Sequence, residues 1–247
     1  MNIALLGYGK MGHIIENIAL ARGHDVPLVI GARNRAQITA KDFADIDVAI
    51  DFSTPYAALA NIALCFEANV PIVVGTTGWY EHLDKVKDKC LSGNKSLMIG
   101  SNFSIGVNIF FHINKLLAKA MRPYEADYEV QVEEVHHVHK LDAPSGTAIT
   151  IAEDILSELD DKVKWVNNLV GSANEVMPKA DELLIASHRI EEVPGTHTVI
   201  YSSEVDEIEL KHTAHSRAGF AMGAVIAAEW LKDKKGFYTV KDMFDFN

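Results

Sequence analysis

The sequence predicts two folded units in succession, an α/β domain with a parallel, doubly wound sheet and then an α+β domain. Three observations lead there. Through residue 99, short apolar runs alternate with amphipathic stretches, the pattern of parallel strands joined by helical crossovers. After Ser101-Asn102-Phe103-Ser104 the rhythm changes to a long helical stripe and then to period-two strands. An Ala-rich helical run lies near the end of the chain. The 247 residues, 48% of them apolar, suffice for one large core or two modest ones.

Residues 3–6 form a buried-strand run, and behind the next loop Met11, Ile14, Ile15 and Ile18 recur at helical spacing. Residues 27–30 read as a second strand and 48–52 as a third, ending in Asp51-Phe52-Ser53. Thr54-Pro55 suits a helix start, and the helix continues from Ala58 to Phe66. Residues 71–74 are a fourth strand, 81–90 a helix and 97–99 a fifth strand. A helix over 106–121 places Ile109, Phe110, Ile113, Leu116 and Leu117 on one stripe. Tyr128, Val130 and Val132 then alternate with Glu129, Gln131 and Glu133, a strand with one wet face. Ile151, Ile155, Leu156 and Leu159 mark another helix, and residues 183–190, 196–202 and 207–213 read as strands. This second block is expected to be antiparallel. Residues 220–231 form the last helix.

A net charge of −11 argues against a general nucleic-acid binder, which needs an excess of cations to displace phosphate counterions. An anionic ligand must be held by local cations against that field. The first residues lack a signal-type pattern, and no apolar run reaches membrane-spanning length. Two cysteines, Cys65 and Cys90, do not make a disulfide framework; reduced thiols in a cytoplasmic protein are expected.

Gly7-Tyr8-Gly9-Lys10-Met11-Gly12 follows a strand and opens a helix. The first glycine permits a tight turn, the second lets backbone approach a pyrophosphate, and the third allows close helix–strand packing. The alternative is a glycine turn that serves packing only. The second strand runs into Gly31-Ala32-Arg33-Asn34-Arg35 without the acid that would bind a ribose 2′-hydroxyl. Two arginines suit a 2′-phosphate, so NADPH is expected ahead of NADH, with Arg33 the main contact; the alternative is a solvated surface arginine. Phe52, Ser53, Gly75, Thr76 and Thr77 lie at strand ends, where open sheets bind ligands. Ser101, Asn102 and Phe103 follow the fifth strand, with Asn102 as an amide partner and Phe103 as an apolar wall for a nicotinamide.

The most informative stretch is Glu134-Val135-His136-His137-Val138-His139-Lys140-Leu141-Asp142-Ala143-Pro144-Ser145-Gly146-Thr147. Pro144 suits the first turn of a helix, where Ser145, Gly146 and Thr147 present hydroxyls and free amides to a carboxylate. Lys140 supplies attraction or a proton, and a histidine titrating near neutrality can do either task. Period-two alternation places Glu134 and His136 on one face and His137 and His139 on the other. That split, with Lys140 adjacent, weighs against a metal site on the three histidines. A structural histidine patch and a Ser145 nucleophile are further alternatives; the latter lacks the strained elbow such a serine needs.

These residues resemble the dihydrodipicolinate reductase family across nearly the whole chain. The likeness includes the glycine loop, Asp51-Phe52-Ser53, Val74–Gly78, Ser101–Asn108, the His136–Ala148 string, Gly195–Val199, Ser216–Ala224 and Trp230. Val138 stands where many members carry arginine. The resemblance implies a Rossmann-like dinucleotide-binding domain over 1–104 and 216–247. It also implies a substrate-binding and tetramerisation domain over 105–215. It implies NAD(P)H-dependent reduction of a small cyclic dicarboxylate, 4-hydroxy-tetrahydrodipicolinate, in lysine and diaminopimelate biosynthesis. His136 and Lys140 would be the catalytic pair, and His137, Ser145, Gly146 and Thr147 would hold substrate carboxylates. A catalytically dead NADPH-binding regulator and another kind of pyridine-nucleotide oxidoreductase are the competing readings. His139 has no assigned role.

Overall fold

The computed structural model describes residues 1–173 and 176–246. The chain divides into two compact units, Met1–Asn108 with Arg217–Asn247, and Ile109–Ser216.

In the first unit the elements are β1 (Asn2–Leu6), α1 (Lys10–Ala21), β2 (Asp25–Ile30), β3 (Val48–Asp51), α2 (Pro55–Ala68), β4 (Ile72–Val74), α3 (Leu83–Ser92) and β5 (Ser96–Ile99). Helix α4 (Ile105–Met121) carries the chain into the second unit. That unit holds β6 (Glu129–His136), α5 (Gly146–Leu156), β7 (Lys164–Leu169), β8 (Glu182–Arg189), β9 (Thr196–Ser202) and β10 (Glu207–Thr213). The chain returns to the first unit with α6 (Ala218–Leu231) and β11 (Gly236–Thr239).

The first sheet has the order β11-β5-β4-β3-β1-β2, and every pair is parallel. Its strands read as continuous apolar runs because both faces are covered. Ala4 and Leu6 face a core with α2, Phe43 and Trp79. Ile3 and Leu5 face the other core, with Ile15 and Ala19 of α1 and the alanine-rich side of α6. The chain steps from β1 to β2 on one side and later places β3 on the other, so the order reverses beside β1. A crevice opens at such a switch point, outside the strand ends. Strand β11 escaped sequence reading: its four residues sit between lysine-rich turns and a polar 3₁₀ turn, and it pairs only at the sheet edge, along β5.

The second sheet corrects the antiparallel expectation. Its order is β10-β9-β6-β8-β7. β9 runs antiparallel to β6 and β10, whereas β6, β8 and β7 are parallel. Helix α5 packs on β6, β7 and β8 and is the crossover that returns the chain from β6 to a parallel β7. Strand β7, KWVNNL, also escaped notice, since an edge strand of mixed polarity carries little periodic signal. Val130, Val132, Leu183, Ile185, Val199 and Tyr201 join Phe110 of α4 and Ile151 and Ile155 of α5 in one core.

Candidate active site

The glycine loop sits at the switch point. Gly7 has φ +96°, and a Cβ there would lie 2.2 Å from the Phe52 carbonyl oxygen, so only glycine suits the turn. A Cβ on Gly12 would lie 2.4 Å from the Gly7 carbonyl oxygen, which explains the close helix–strand approach. Gly9 caps α1, no side chain caps that helix, and a Cβ on Gly9 or Gly31 would meet nothing within 4 Å. The amides of Lys10, Met11 and Gly12 precede the first intrahelical bond, from His13 N–H to the Gly9 carbonyl at 3.2 Å. Open amides at a helix start, with empty space before them, suit a pyrophosphate.

Beside this loop a cleft of about 380 Å³ is lined by Gly7, Gly9, Gly31, Arg35, Phe52 and Ser53, among others. Arg33 is exposed and is not among its lining residues. Arg35 is: its Nε donates to Asn61 Oδ1 at 2.8 Å and its Nη2 to the Ala60 carbonyl at 3.1 Å. Asn61 in turn donates to Asp51 Oδ2 at 2.9 Å. The other oxygen of Asp51 accepts from Ser53 N and Oγ at 2.9 and 2.7 Å and from Thr76 Oγ1 at 2.6 Å. Asp51 is fully buried, which pushes its carboxyl above the usual range. It gathers the ends of β3 and β4 and the middle of α2 into one network, a role the sequence did not disclose.

Gly75, Thr76 and Thr77 line a neighbouring recess with Met11, Phe52 and Ser53. A Cβ on Gly75 would sit 2.2 Å from the Phe52 ring. Lys10, Ser101 and Phe103 line another with Phe52, Arg217 and Phe220. Phe103 is buried, its ring 5.9 Å from that of Phe52. Asn102 has local work: its Oδ1 accepts from Ser104 N at 2.9 Å, and its carbonyl accepts from Asn108 at 3.0 Å.

In the second unit, the apolar row of β6 ends in polar residues. Val130 and Val132 face the core, Glu134 continues that face with no exposure, and His136 follows. Across the ladders Glu134 stands opposite Ser187 of β8 and His197 of β9, and His136 stands opposite Arg189. One oxygen of Glu134 hydrogen-bonds Nδ1 of His136; the other accepts from Arg189 Nη1 at 3.0 Å. Burial alone would raise the Glu134 carboxyl, but the bonds from His136 and Arg189 help hold it at about 2. The His136 and His197 rings meet edge to face at 5.2 Å. Burial, with His136 beside it, pushes His197 down to about 3, so its ring is neutral.

Ser145 caps α5, its hydroxyl oxygen accepting from Ala148 N at 3.1 Å, and the same hydroxyl is hydrogen-bonded to Nε2 of His197 at 3.0 Å. Gly146 therefore begins the helix and Pro144 precedes the cap, so the expected place of Pro144 in the first turn shifts outward. Lys140 Nζ pairs with Asp142 Oδ2 at 2.6 Å, while Arg189 Nη2 fixes the Asp142 carbonyl at 2.7 Å. The period-two expectation fails beyond His136. The strand ends there, and residues 137–140 form a turn closed by Lys140 N–H to the His137 carbonyl at 3.1 Å. Nδ1 of His137 is buried and unpartnered among the described residues, a donor or acceptor in want of a ligand. His139 pairs with Glu192 at the surface.

The titratable triplet that converges is Glu134, His136 and His197, with candidate ligand atoms within 4.8 Å of one another. It differs from the three histidines of the string. Its carboxylate already serves His136 and Arg189, and Ser145 occupies His197 Nε2. Glu134, Arg189 and His197 were missed because strand register, not sequence proximity, assembles them.

The sheet order, glycine loop and cleft define the first unit as a Rossmann-like dinucleotide-binding domain. The chain's first 103 residues match the model for the dihydrodipicolinate reductase N-terminus, and residues 106–244 match that for the C-terminus. A 4-hydroxy-tetrahydrodipicolinate reductase from Christiangramia forsetii is 49% identical over 98% of this chain and 97% of its own. One from Methanosarcina barkeri is 40% identical over 98% of each. In fold, the chain is similar to dipicolinate-bound dihydrodipicolinate reductase from Paenisporosarcina sp. TG-14, with TM-score 0.78, 22% identity and 99% of each chain covered. This chain belongs to the dihydrodipicolinate reductase family.

Proposed function

We propose that the chain reduces 4-hydroxy-tetrahydrodipicolinate to tetrahydrodipicolinate, a step of lysine and diaminopimelate biosynthesis. One hydride and one proton are added and water leaves. The observation that carries this reading is the second unit's cluster: Lys140, His136 and the Ser145–Thr147 helix start in one chain segment, bound together through His197 and Arg189.

A bound reduced nicotinamide supplies the hydride. The chain's residues do the rest. Gly146 and Thr147 offer amides at the start of α5 to a substrate carboxylate, and Ser145 shapes that turn. His137 offers to the same anion its Nδ1, unpartnered among the described residues. Lys140 attracts a carboxylate, exchanging its exposed partner Asp142 for the ligand, and with His136 supplies the proton. Gly7, Gly9, Lys10, Met11 and Gly12 hold the pyrophosphate; Phe52, Ser53, Gly75, Thr76, Thr77, Ser101, Asn102 and Phe103 hold the ribose and nicotinamide.

NADPH is the preferred donor, with Arg33 the contact to the 2′-phosphate and Arg35 walling the adenosine cleft. The residues 105–215 bind substrate and build a homotetramer; the exposed Ile109, Ile113 and Leu116 of α4 supply an apolar stripe for assembly. The protein works in the cytoplasm, without nucleic acid or membrane. No helix among the described residues is long and apolar enough to cross a bilayer.

Steady-state kinetics of Lys140→Ala test the assignment. The substitution lowers turnover by a factor on the order of 10² or more. Near wild-type turnover removes Lys140 from its role.

A further inference from the structure

We infer that Glu134 is a positioning residue for the reduction: anchored by Arg189, its carboxylate fixes His136 with the proton on Nδ1 and so reserves Nε2 for exchange with substrate. The inference rests on the reductase reading above.

Glu134 lies near the end of β6. It extends the inward row of Val130 and Val132 and has no exposed surface. A lone buried carboxylate is costly unless hydrogen-bonded and paired. Here both oxygens are used. Arg189 Nη1 donates to one at 3.0 Å, and His136 Nδ1 meets the other. A carboxylate that stays ionised has no proton to give, so Nδ1 of His136 must be the donor. In the neutral ring, Nε2 then carries the lone pair.

The surroundings leave Nε2 available. Directly beside it lies Gly195, whose Cβ, if present, would sit 3.0 Å away. His197 packs edge to face on the ring but spends its Nε2 on Ser145. The charged and titratable groups around the pair are Arg189 from β8, His197 from β9, His212 behind it on β10, and Lys140 from the following turn. Among the hydrogen bonds and ion pairs of the described residues, none places another carboxylate on His136.

Proton delivery then balances simply. The N–H bond at Nε2 breaks, its electron pair stays on the ring, and the proton joins the substrate as hydride arrives from the nicotinamide. The ring is left neutral with Nδ1–H still on Glu134, which neither gains nor loses a proton. Solvent returns the proton to Nε2 for the next cycle.

Glu134→Gln makes a sharp test. Arg189 can only donate, so the amide oxygen turns to Arg189 and the amide NH₂ faces His136. Nδ1 must then accept, and the neutral ring changes to the Nε2–H tautomer. The ¹⁵N shifts of His136 are expected to report Nδ1–H in the wild-type chain and Nε2–H in Glu134→Gln. The variant is expected to lose kcat by a factor on the order of 10² with KM changed less than about threefold. Glu134→Asp restores part of the loss. An Nε2–H tautomer in the wild-type chain overturns the inference, even if neither variant folds. So does wild-type kcat in a folded Glu134→Gln. A wild-type chain with the Nδ1–H tautomer and no turnover would instead count against the reductase reading alone.

Discussion

Ser145 and His197 are joined side chain to side chain, with the Ser145 hydroxyl hydrogen-bonded to Nε2 of His197 at 3.0 Å. The same hydroxyl oxygen caps α5 by accepting from Ala148 N. One serine therefore ties the helix start that offers amides to an anion to the strand that backs His136. Burial holds His197 down at about 3, so the ring in this bond is neutral.

Ser145→Ala removes the cap and leaves a buried imidazole nitrogen unpaired. Losing such a cap costs about 1 kcal/mol, and the orphaned ring nitrogen adds about 1–3 kcal/mol. Urea unfolding of the variant is expected to show a loss on the order of 2 kcal/mol with an unchanged m-value. Unaltered stability would mean that the bond contributes nothing.

Acid stability follows from two groups with separate windows. His197 sits at about 3 in the fold against 6.5 ordinarily, so between those values the unfolded chain binds the extra proton. Stability then falls as pH drops below about 6.5, by up to about 1.4 kcal/mol per pH unit. His212, also lowered by burial, adds to the same slope. Glu134, held at about 2 against 4.5, contributes stability that is present above 4.5 and lost as pH falls toward 2. Unfolding free energy is thus expected to drop between pH 6.5 and 5, and His197→Gln flattens that slope. A wild-type curve level over this range contradicts the neutral, buried His197.

The two arginines after β2 separate by kinetics. Arg33→Asp is expected to raise KM for NADPH about tenfold or more and leave that for NADH within about twofold. Arg35→Ala, which removes a wall of the cleft and a partner of Asn61, raises both. Equal effects of Arg33→Asp on the two cofactors would dismiss its 2′-phosphate contact.

Gly75→Ala places a methyl 2.2 Å from the Phe52 ring, which must swing from its place at the mouth of the recess. Overpacking of this kind costs about 1–3 kcal/mol. Cofactor KM is expected to rise; unchanged cofactor affinity would show that the Phe52 position is immaterial.

Local pattern and motif carried much of this into the sequence. Buried strands such as β1 and β3 are readable because both faces are apolar, and Gly7–Gly12 because strand and helix flank it. Edge strands β7 and β11 were silent, since half-exposed residues need no apolar periodicity. The direction of β8 was hidden because crossover and hairpin leave similar strand signals. Glu134 stood in the string without a role, and its partners lie 55 residues on, at Arg189, and across the ladder, at His197. Only register brings those three together. Arg33 and Arg35 look alike in sequence; a single turn of chain sends one to solvent and the other into the cleft.

The reaction itself is open to direct measurement. Supplying the chain with 4-hydroxy-tetrahydrodipicolinate made in the same vessel by a synthase, and following nicotinamide absorbance, tests it directly. Loss of absorbance that depends on the substrate is expected, with one tetrahydrodipicolinate formed per reduced nicotinamide consumed. Absence of substrate-dependent loss with both NADPH and NADH, from a folded chain, would contradict it.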